Sequence, residues 1–254
     1  MRHKLIVRSK NHSCAPLRQL MVPKRTILRL GSTTPTEKIT RRKDYIELNS
    51  PEGCAISGNK ILMKDVFIKA GVHTAEYFLM KNNEDYKIKN YLNVWKTIIA
   101  KHKHSSKGNG IFLIENYDDF LEFKKNNNCS QFVFEKYYHY NREYRIHVTK
   151  DGCFYTCRKM LKRDAEVRWH RHDNNSVWIL EDNPLFQKPD NWDDIVNDCV
   201  KALKALKLDI AAFDVKCEGN GKANPDWIIL ESNSAPALGE VGIKKYSEKI
   251  VSML

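Results

Sequence analysis

The fold is decided by one stretch of sequence, Ile228-Ile229-Leu230-Glu231-Ser232-Asn233-Ser234-Ala235-Pro236. It predicts an apolar strand that ends in a carboxylate and an amide and is followed by a loop. Residues two apart on a strand point to the same face, so Glu231 and Asn233 direct their oxygens into one space. The alternative is a strand whose end is simply capped by polar residues.

A second apolar stretch, Ile210-Ala211-Ala212-Phe213-Asp214-Val215-Lys216, comes earlier and predicts another strand. The turn residues Glu218-Gly219-Asn220-Gly221-Lys222 between the two are typical of a hairpin. Pairing of the strands can place Asp214 beside Glu231. Mg²⁺ prefers oxygen ligands and usually takes others from phosphates and water. The hairpin therefore predicts a candidate magnesium site.

Length and composition bound the class of protein. At 254 residues and 42% hydrophobic content, the chain can fold as one large domain or two modest ones. No apolar run approaches the roughly 20 residues of a membrane helix, and no secretory pattern is present. Seven scattered cysteines favour free thiols in a reducing cytosol, so we expect a cytoplasmic protein. Cys153 and Cys157 lack a second Cys/His pair, which favours structural thiols over zinc.

The positive charge is concentrated near the start of the chain. Residues 1–50 contain twelve Lys/Arg and three Asp/Glu, whereas the other 204 residues contain thirty-one and twenty-eight. Such asymmetry can mark an anionic partner, such as nucleic acid, a phosphorylated substrate or an acidic peptide. A solvated surface is the alternative explanation. Short strands at 5–7 and 26–30 suggest a small or incomplete domain.

Next come a predicted helix over about 58–70, capped by Ser57, and a predicted hairpin. The helix carries Lys60 in its first turn, where a cation is unfavourable unless it has an anionic partner. The hairpin has strands at 94–101 and 111–114, with Lys101 at the end of the first. Its loop is rich in Ser and Gly, which lets backbone N–H groups approach phosphates. The spacing is not that of a Walker loop.

The rest of the chain predicts helices over about 117–127, from Asp190 onward and over 243–253, and strands at 131–137, 143–149 and 153–160. Asp151-Gly152 predicts a tight turn between the last two strands. On the first of them, Glu143, Arg145 and His147 share one face. A charged strand face indicates either solvent or a site.

The order of these motifs resembles the ATP-grasp superfamily, most of all its carboxylate–amine ligases, such as ribosomal-protein glutamate ligase and glutathione synthetase. It is also similar to short ATP-grasp proteins of bacteriophages. The resemblance covers about residues 45–250. It implies an α+β fold in which two α+β subdomains, residues 51–134 and 135–254, hold ATP between them. Residues 1–50 form a short basic segment where the family usually has a full α/β domain for substrate.

The resemblance also implies roles for individual residues. Asp214, Glu231 and Asn233 match the Mg²⁺ ligands, and Arg145 and Arg158 resemble the cations that hold transferred phosphate or substrate carboxylate. The remaining matches are to the ATP site: phosphate lysines Lys60 and Lys101; the closing loop with Ser105, Ser106, Lys107, Gly108 and Gly110; the adenine segment with Glu135, Lys136 and Tyr137; and Glu143 at the ribose.

The implied reaction activates a carboxylate with ATP as an acyl phosphate, which an amine then converts to an amide. It needs positioning and charge neutralisation rather than a protein nucleophile. Small-molecule or peptide acids and amines, acidic or phosphorylated, are the expected substrates. Two alternatives remain: an ATP-grasp kinase acting on a hydroxyl or polyanion, and a non-catalytic module that binds nucleic acid through residues 1–50. A nucleic-acid-binding module would not need Asp214 or Glu231.

Overall fold

The computed structural model describes residues 2–104, 109–172, 174–219 and 226–254. The strands in these ranges are β1 (His3–Lys4), β2 (Ile6–Ser9), β3 (Met21–Val22), β4 (Thr26–Leu30), β5 (Ile46–Leu48), β6 (Tyr77–Phe78), β7 (Ile98–His102), β8 (Ile111–Ile114), β9 (Phe132–Lys136), β10 (Arg142–Thr149), β11 (Gly152–Leu161), β12 (Ser176–Leu180), β13 (Ile210–Cys217) and β14 (Trp227–Asn233). The α-helices are α1 (Pro51–Ser57), α2 (Lys60–Lys69), α3 (Asp85–Trp95), α4 (Tyr117–Asn126), α5 (Trp192–Ala205) and α6 (Glu240–Ser252). Short 3₁₀ helices cover His12–Gln19, Thr36–Lys38 and Cys129–Gln131.

The largest sheet is antiparallel, with strand order β12-β11-β10-β13-β14. Because side chains alternate along a strand, each of its strands divides residues between two faces. One face is apolar and packs against α5, with Tyr144, Ile146 and Phe213 in the shared core. The other face carries the charged residues of β10, β13 and β14, including Arg145 and Asp214. One face of the sheet therefore belongs to the hydrophobic core, and the other face carries the candidate site residues.

A second antiparallel sheet has the order β6-β9-β7-β8 and is covered by α3 and α4. Its core is aromatic: Phe78 and Phe134 stack with ring centroids 5.2 Å apart, and Phe120 and Phe123 pack from α4. This core is distinct from that of the larger sheet. The chain thus has mixed helix and sheet in two bodies around separate cores, which confirms the predicted α+β class.

The basic N-terminal segment forms a parallel sheet in the order β2-β4-β5, beside the small β1–β3 pair. It packs against the C-terminal helix, since Leu28 and Leu30 share a core with Tyr246 and Ile250 of α6. Gly31, at the end of β4, has φ +75°, and a Cβ there would lie 2.8 Å from that of Ala235. The segment therefore lies directly against the loop that follows β14.

The helix predicted over 58–70 is α2, and a further helix that was not predicted, α1, precedes it and ends at Ser57. Ser57 is not a cap: it is buried at the end of α1, and its hydroxyl is 2.9 Å from that of Ser232. Asn59 caps α2 by accepting from the N–H groups of Ile61 and Leu62. Lys60 is consequently the first residue of α2.

The strand predicted from residue 94 begins only at Ile98, because Val94 and Trp95 end α3. Lys96 has φ +67° and separates this helix from β7. All seven cysteines are free, as expected. In the part of the chain that the structure describes, no helix has the length and apolar character needed to cross a bilayer.

Candidate ATP and metal site

The hairpin of β13 and β14 brings the predicted metal ligands together. Asp214 pairs directly with Glu231, and Asn233 lies opposite Ala212, two residues further along the same face. The register shifts immediately after Asp214, where a bulge interrupts the ladder. Two carboxylates and an amide thus converge at one end of the sheet.

Arg145 on β10 pairs with Asp214 in the same register. Its Nε and Nη2 atoms each donate to one oxygen of Asp214 over 2.7 Å, a bidentate ion pair. Burial alone would raise the pKa of Asp214, but Arg145 outweighs burial and lowers it. The pKa of Glu231 is raised, because the surrounding protein displaces water and because Asp214 lies beside it. The two carboxylates therefore differ in electrostatic environment, although they are neighbours.

The two predicted phosphate lysines come from different bodies: Lys101 from the four-stranded sheet, and Lys60 from α2, which packs against the five-stranded sheet. Lys101 on β7 donates to Glu135 on β9 over 2.7 Å. Burial would lower the pKa of Lys101, yet Glu135 and, further away, Glu231 raise it. Lys60 at the start of α2 has a pKa lowered by burial, an effect that the charge of Glu231 partly offsets. Both ammonium groups therefore lie within electrostatic range of the metal strand.

A third lysine, Lys64, was missed by the sequence reasoning. Its ammonium is buried 3.3 Å from the other oxygen of Glu135. It lies one helical turn after Lys60, and that spacing of four residues was the available signal. Glu135, expected near adenine, therefore directs its carboxylate at two lysines instead.

The backbone of the predicted adenine segment is already engaged. The N–H of Lys136 donates to the carbonyl of Glu76 over 2.9 Å, and that of Tyr137 donates to Thr97 over 3.0 Å. The Lys136 ammonium bonds the Glu76 carboxylate at the surface. These two N–H groups are therefore already hydrogen-bonded within the protein. A backbone contact with adenine would have to use other N–H or carbonyl groups of the segment.

Glu143, the residue expected at the ribose, is buried on β10 opposite Lys216 of β13. The pKa of Glu143 is raised, because the effect of burial exceeds the opposing effect of the Lys216 charge. Burial likewise lowers the pKa of Lys216 to about 8. The Arg171 guanidinium lies 3.5 Å from Glu143, and the Lys216 ammonium lies 4.8 Å from the Tyr137 ring. Lys216 and Arg171 are further site cations that the sequence reasoning did not select.

Arg158 is not brought to the site. It pairs with Tyr144 on β10, so it lies on the face opposite Arg145, and its guanidinium donates to the carbonyl of Leu185 over 2.7 Å. The next residue, Lys159, occupies the site face, with its ammonium 5.2 Å from the Trp178 ring. A shift of one residue changes the face of a strand, which corrects the assignment from Arg158 to Lys159.

The closing loop can be described only in part. Ser105, Ser106, Lys107 and Gly108 lie outside the described residues. Gly110 is described, with φ +63°, and its carbonyl accepts from the N–H of His102 over 2.9 Å. This bond closes the base of the β7–β8 hairpin.

The residues present fit Mg²⁺ and a triphosphate. The Lys64 ammonium is buried 3.3 Å from the Glu135 carboxylate and adds a positive charge beside Lys101. Asp214, Glu231 and Asn233 offer only oxygens. No group of three or more His, Cys, Asp or Glu side chains gathers in the described ranges. Three protein oxygen donors supply part of a coordination shell, which suits an ion that also takes phosphate and water oxygens.

The buried His147, next to the site, should make the stability of the fold depend on pH. His147 is buried on β10 against Tyr246, with 2.9 Å between Nδ1 and the hydroxyl, and burial lowers its pKa from 6.5 to about 3. The unfolded chain binds this proton first, so acidification from pH 6.5 destabilises the fold. We expect the wild type to lose about 1.4 kcal/mol per pH unit more than His147→Gln, until about pH 3. Denaturant titrations across this range measure it.

The exposed His139 provides the control for that measurement. The pH profile of His139→Gln is measured alongside those of the wild type and His147→Gln. Parallel profiles for His147→Gln and the wild type would contradict the assignment.

Comparison with known proteins rests on structure alone. The sequence matches no protein-family model, and no curated protein is similar to it in sequence. Among solved structures, D-alanine–D-alanine ligase from Bacillus anthracis superposes with a TM-score of 0.64 and 13% identity, over 90% of this chain and 75% of that one. The ATP-grasp ligase PsnB with its minimal precursor gives 0.63 and 14%, over 94% and 82%.

A further PsnB structure, with a phosphomimetic precursor, Mg and ADP, gives a TM-score of 0.56 and 15% identity. It covers 82% of this chain and 61% of that one. The likeness thus extends over most of the chain. Together with the order of its elements, it establishes that this chain has the ATP-grasp fold.

Proposed function

We propose that this protein is an ATP- and Mg²⁺-dependent ligase that activates a carboxylate as an acyl phosphate and joins it to an amine. The observation that carries the proposal is the convergence of Asp214, Glu231 and Asn233 with Arg145, opposite Lys60 and Lys101. The oxygen ligands suit Mg²⁺, and the cations match the negative charge of a nucleotide triphosphate. PsnB and D-alanine–D-alanine ligase, which share the fold, are named as ligases.

In this proposal each side chain has a defined task. Asp214, Glu231 and Asn233 hold Mg²⁺, which would neutralise phosphate charge and orient the γ-phosphoryl group. Lys60 and Lys101 bind phosphate oxygens, and Glu143 accepts from ribose hydroxyls. Because negative charge develops on the leaving ADP as the γ-phosphoryl group is transferred, fixed cations stabilise the transition state without a protein nucleophile.

Arg145 and Lys159 lie on the same face as the metal ligands and are the candidates for holding a substrate carboxylate or the transferred phosphoryl group. Their side chains flank Trp178, at 4.8 Å and 5.2 Å from its ring. Peptide acids or small acids are the proposed substrates. One PsnB structure is a complex with a precursor peptide.

The test is phosphate release from ATP in a matrix of acids and amines, with and without Mg²⁺. A ligase releases phosphate and ADP only when an acid and an amine are both present. A kinase instead gives a stable phosphorylated product without an amine, and that outcome would replace the proposal. Absence of nucleotide binding under any condition would reject both, leaving the basic residues 1–50 to be tested against nucleic acid.

Lys101 offers a direct test of the nucleotide site. We expect Lys101→Ala to weaken ATP binding by about ten- to a hundredfold, because one charge-assisted hydrogen bond to phosphate is lost. Calorimetric titration measures the dissociation constant. Lys125→Ala, at an exposed position of α4, should bind as the wild type does. Unchanged affinity for Lys101→Ala would contradict the assignment of this lysine to phosphate.

A further inference from the structure

A buried ion pair links the cores of the five-stranded and the four-stranded sheets. Lys64 lies on α2, whose Met63 and Phe67 belong to the core of the five-stranded sheet. Glu135 lies on β9, whose Phe134 belongs to the core of the four-stranded sheet. The contact between Lys64 and Glu135 therefore joins the two bodies between which the proposed nucleotide site lies.

Each oxygen of the Glu135 carboxylate contacts a different lysine. Its Oε1 is 3.3 Å from Lys64 Nζ, and its Oε2 is 2.7 Å from Lys101 Nζ. Lys64 is 1% exposed and Glu135 is 2% exposed, so neither exchanges this contact for water. The Lys101 ammonium is held by the second oxygen only, and Lys101 retains partial exposure.

Lys64 has few other interactions. Among the described residues its ammonium contacts the Glu135 carboxylate and, more distantly, the Tyr77 ring, whose centroid is 5.9 Å away. Burying an ammonium is costly, and an apolar side chain of similar length would avoid that cost. A role in stability therefore does not account for a lysine at this position, whereas control of the charge and orientation of Glu135 does.

We infer that Lys64 is a positioning residue that holds Lys101 in place for the triphosphate through their shared carboxylate, Glu135. The inference rests on the proposed nucleotide site and adds a residue to it. Without Lys64, both oxygens of Glu135 become available to Lys101. The carboxylate is then free to turn, so it no longer fixes the position of the Lys101 ammonium, and the contact between α2 and β9 is lost.

The experiment compares ATP with AMP in Lys64→Met, a neutral variant of similar length. We expect ATP affinity to fall about tenfold, while AMP affinity stays within about twofold of the wild type. The difference arises because AMP lacks the phosphates that Lys101 would reach. Lys69→Met, at an exposed position of the same helix, is the matched control and should leave both affinities unchanged.

A second pair of variants tests the route through Glu135. Glu135→Gln should reproduce the selective loss of ATP affinity, and adding Lys64→Met to it should produce no further loss. The double variant removes both charges of the buried pair, so it remains informative if Lys64→Met alone fails to fold. A further loss in the double variant would show that Lys64 does not act through Glu135.

Two results overturn the inference. Equal losses for ATP and AMP in Lys64→Met would indicate general damage to the cleft, and unchanged ATP affinity would show that Lys64 has no positioning role. Failure of the proposed function is distinguishable, because the wild type itself would then bind no nucleotide.

Discussion

Replacing Glu231 with Gln will reduce turnover by roughly a thousandfold or more while leaving the fold at least as stable as that of the wild type. The amide cannot supply the negative charge that a Mg²⁺ ligand contributes next to Asp214. The raised pKa of Glu231 means that its ionised form is unfavourable in the folded state. Removing that charge should increase the free energy of unfolding at pH 7, and the gain should disappear below about pH 4.

Calorimetry with ATP, with and without Mg²⁺, gives the binding part of this result, and denaturant titrations give the stability. In the wild type Mg²⁺ should strengthen ATP binding, and in Glu231→Gln that dependence should be largely lost. Glu248→Gln, at an exposed position of α6, is the control for a neutralised glutamate. A fully active Glu231→Gln would remove the metal assignment.

The second large effect concerns Arg145, which holds both oxygens of Asp214. Arg145→Met leaves Asp214 buried beside Glu231 without its counter-charge, and breaking such a pair costs about 3–5 kcal/mol. We expect the loss to be greatest at neutral pH, because Arg145 lowers the pKa of Asp214 and that stabilisation fades as the carboxylate protonates. Mg²⁺ should restore part of the stability by taking the place of the guanidinium.

Arg158→Met provides a matched control for this variant. It removes a guanidinium from the neighbouring strand, but on the opposite face, where the contacts are to the carbonyl groups of Leu185 and Phe186. Its cost should stay under about 1.5 kcal/mol and should not depend on Mg²⁺. Equal, Mg²⁺-independent losses for both arginines would show that the Arg145–Asp214 pair has no special electrostatic role.

The sequence predicted the metal strands well, because local pattern and pairing agree there. Alternation fixed the face of Glu231 and Asn233, and the pairing of the two strands placed Asp214 opposite Glu231. The amphipathic period of α5 was equally clear. These features depend on residues close together in the chain, which is why they could be worked out without tertiary contacts.

The errors arise where tertiary context decides. Val94 and Trp95 favour strands intrinsically, yet they end α3, where Trp95 enters the aromatic core. The face of Arg158 depends on the register of β11 against β10, which the sequence does not specify. Lys64 could have been suspected from its spacing to Lys60, but its partner Glu135 is seventy-one residues away and on another body.

The packing of the N-terminal sheet against α6 has a consequence for synthesis on the ribosome. Leu28 and Leu30 complete their core only with Tyr246 and Ile250, which are translated about ten to forty seconds later at usual rates. During that interval the apolar side chains of β4 that pack against α6 remain exposed. Cys14, fully buried in the same core, should therefore react with a thiol reagent in nascent chains arrested before α6 and be protected in the released protein. Protection in the arrested chains would mean that the segment folds without its C-terminal partner.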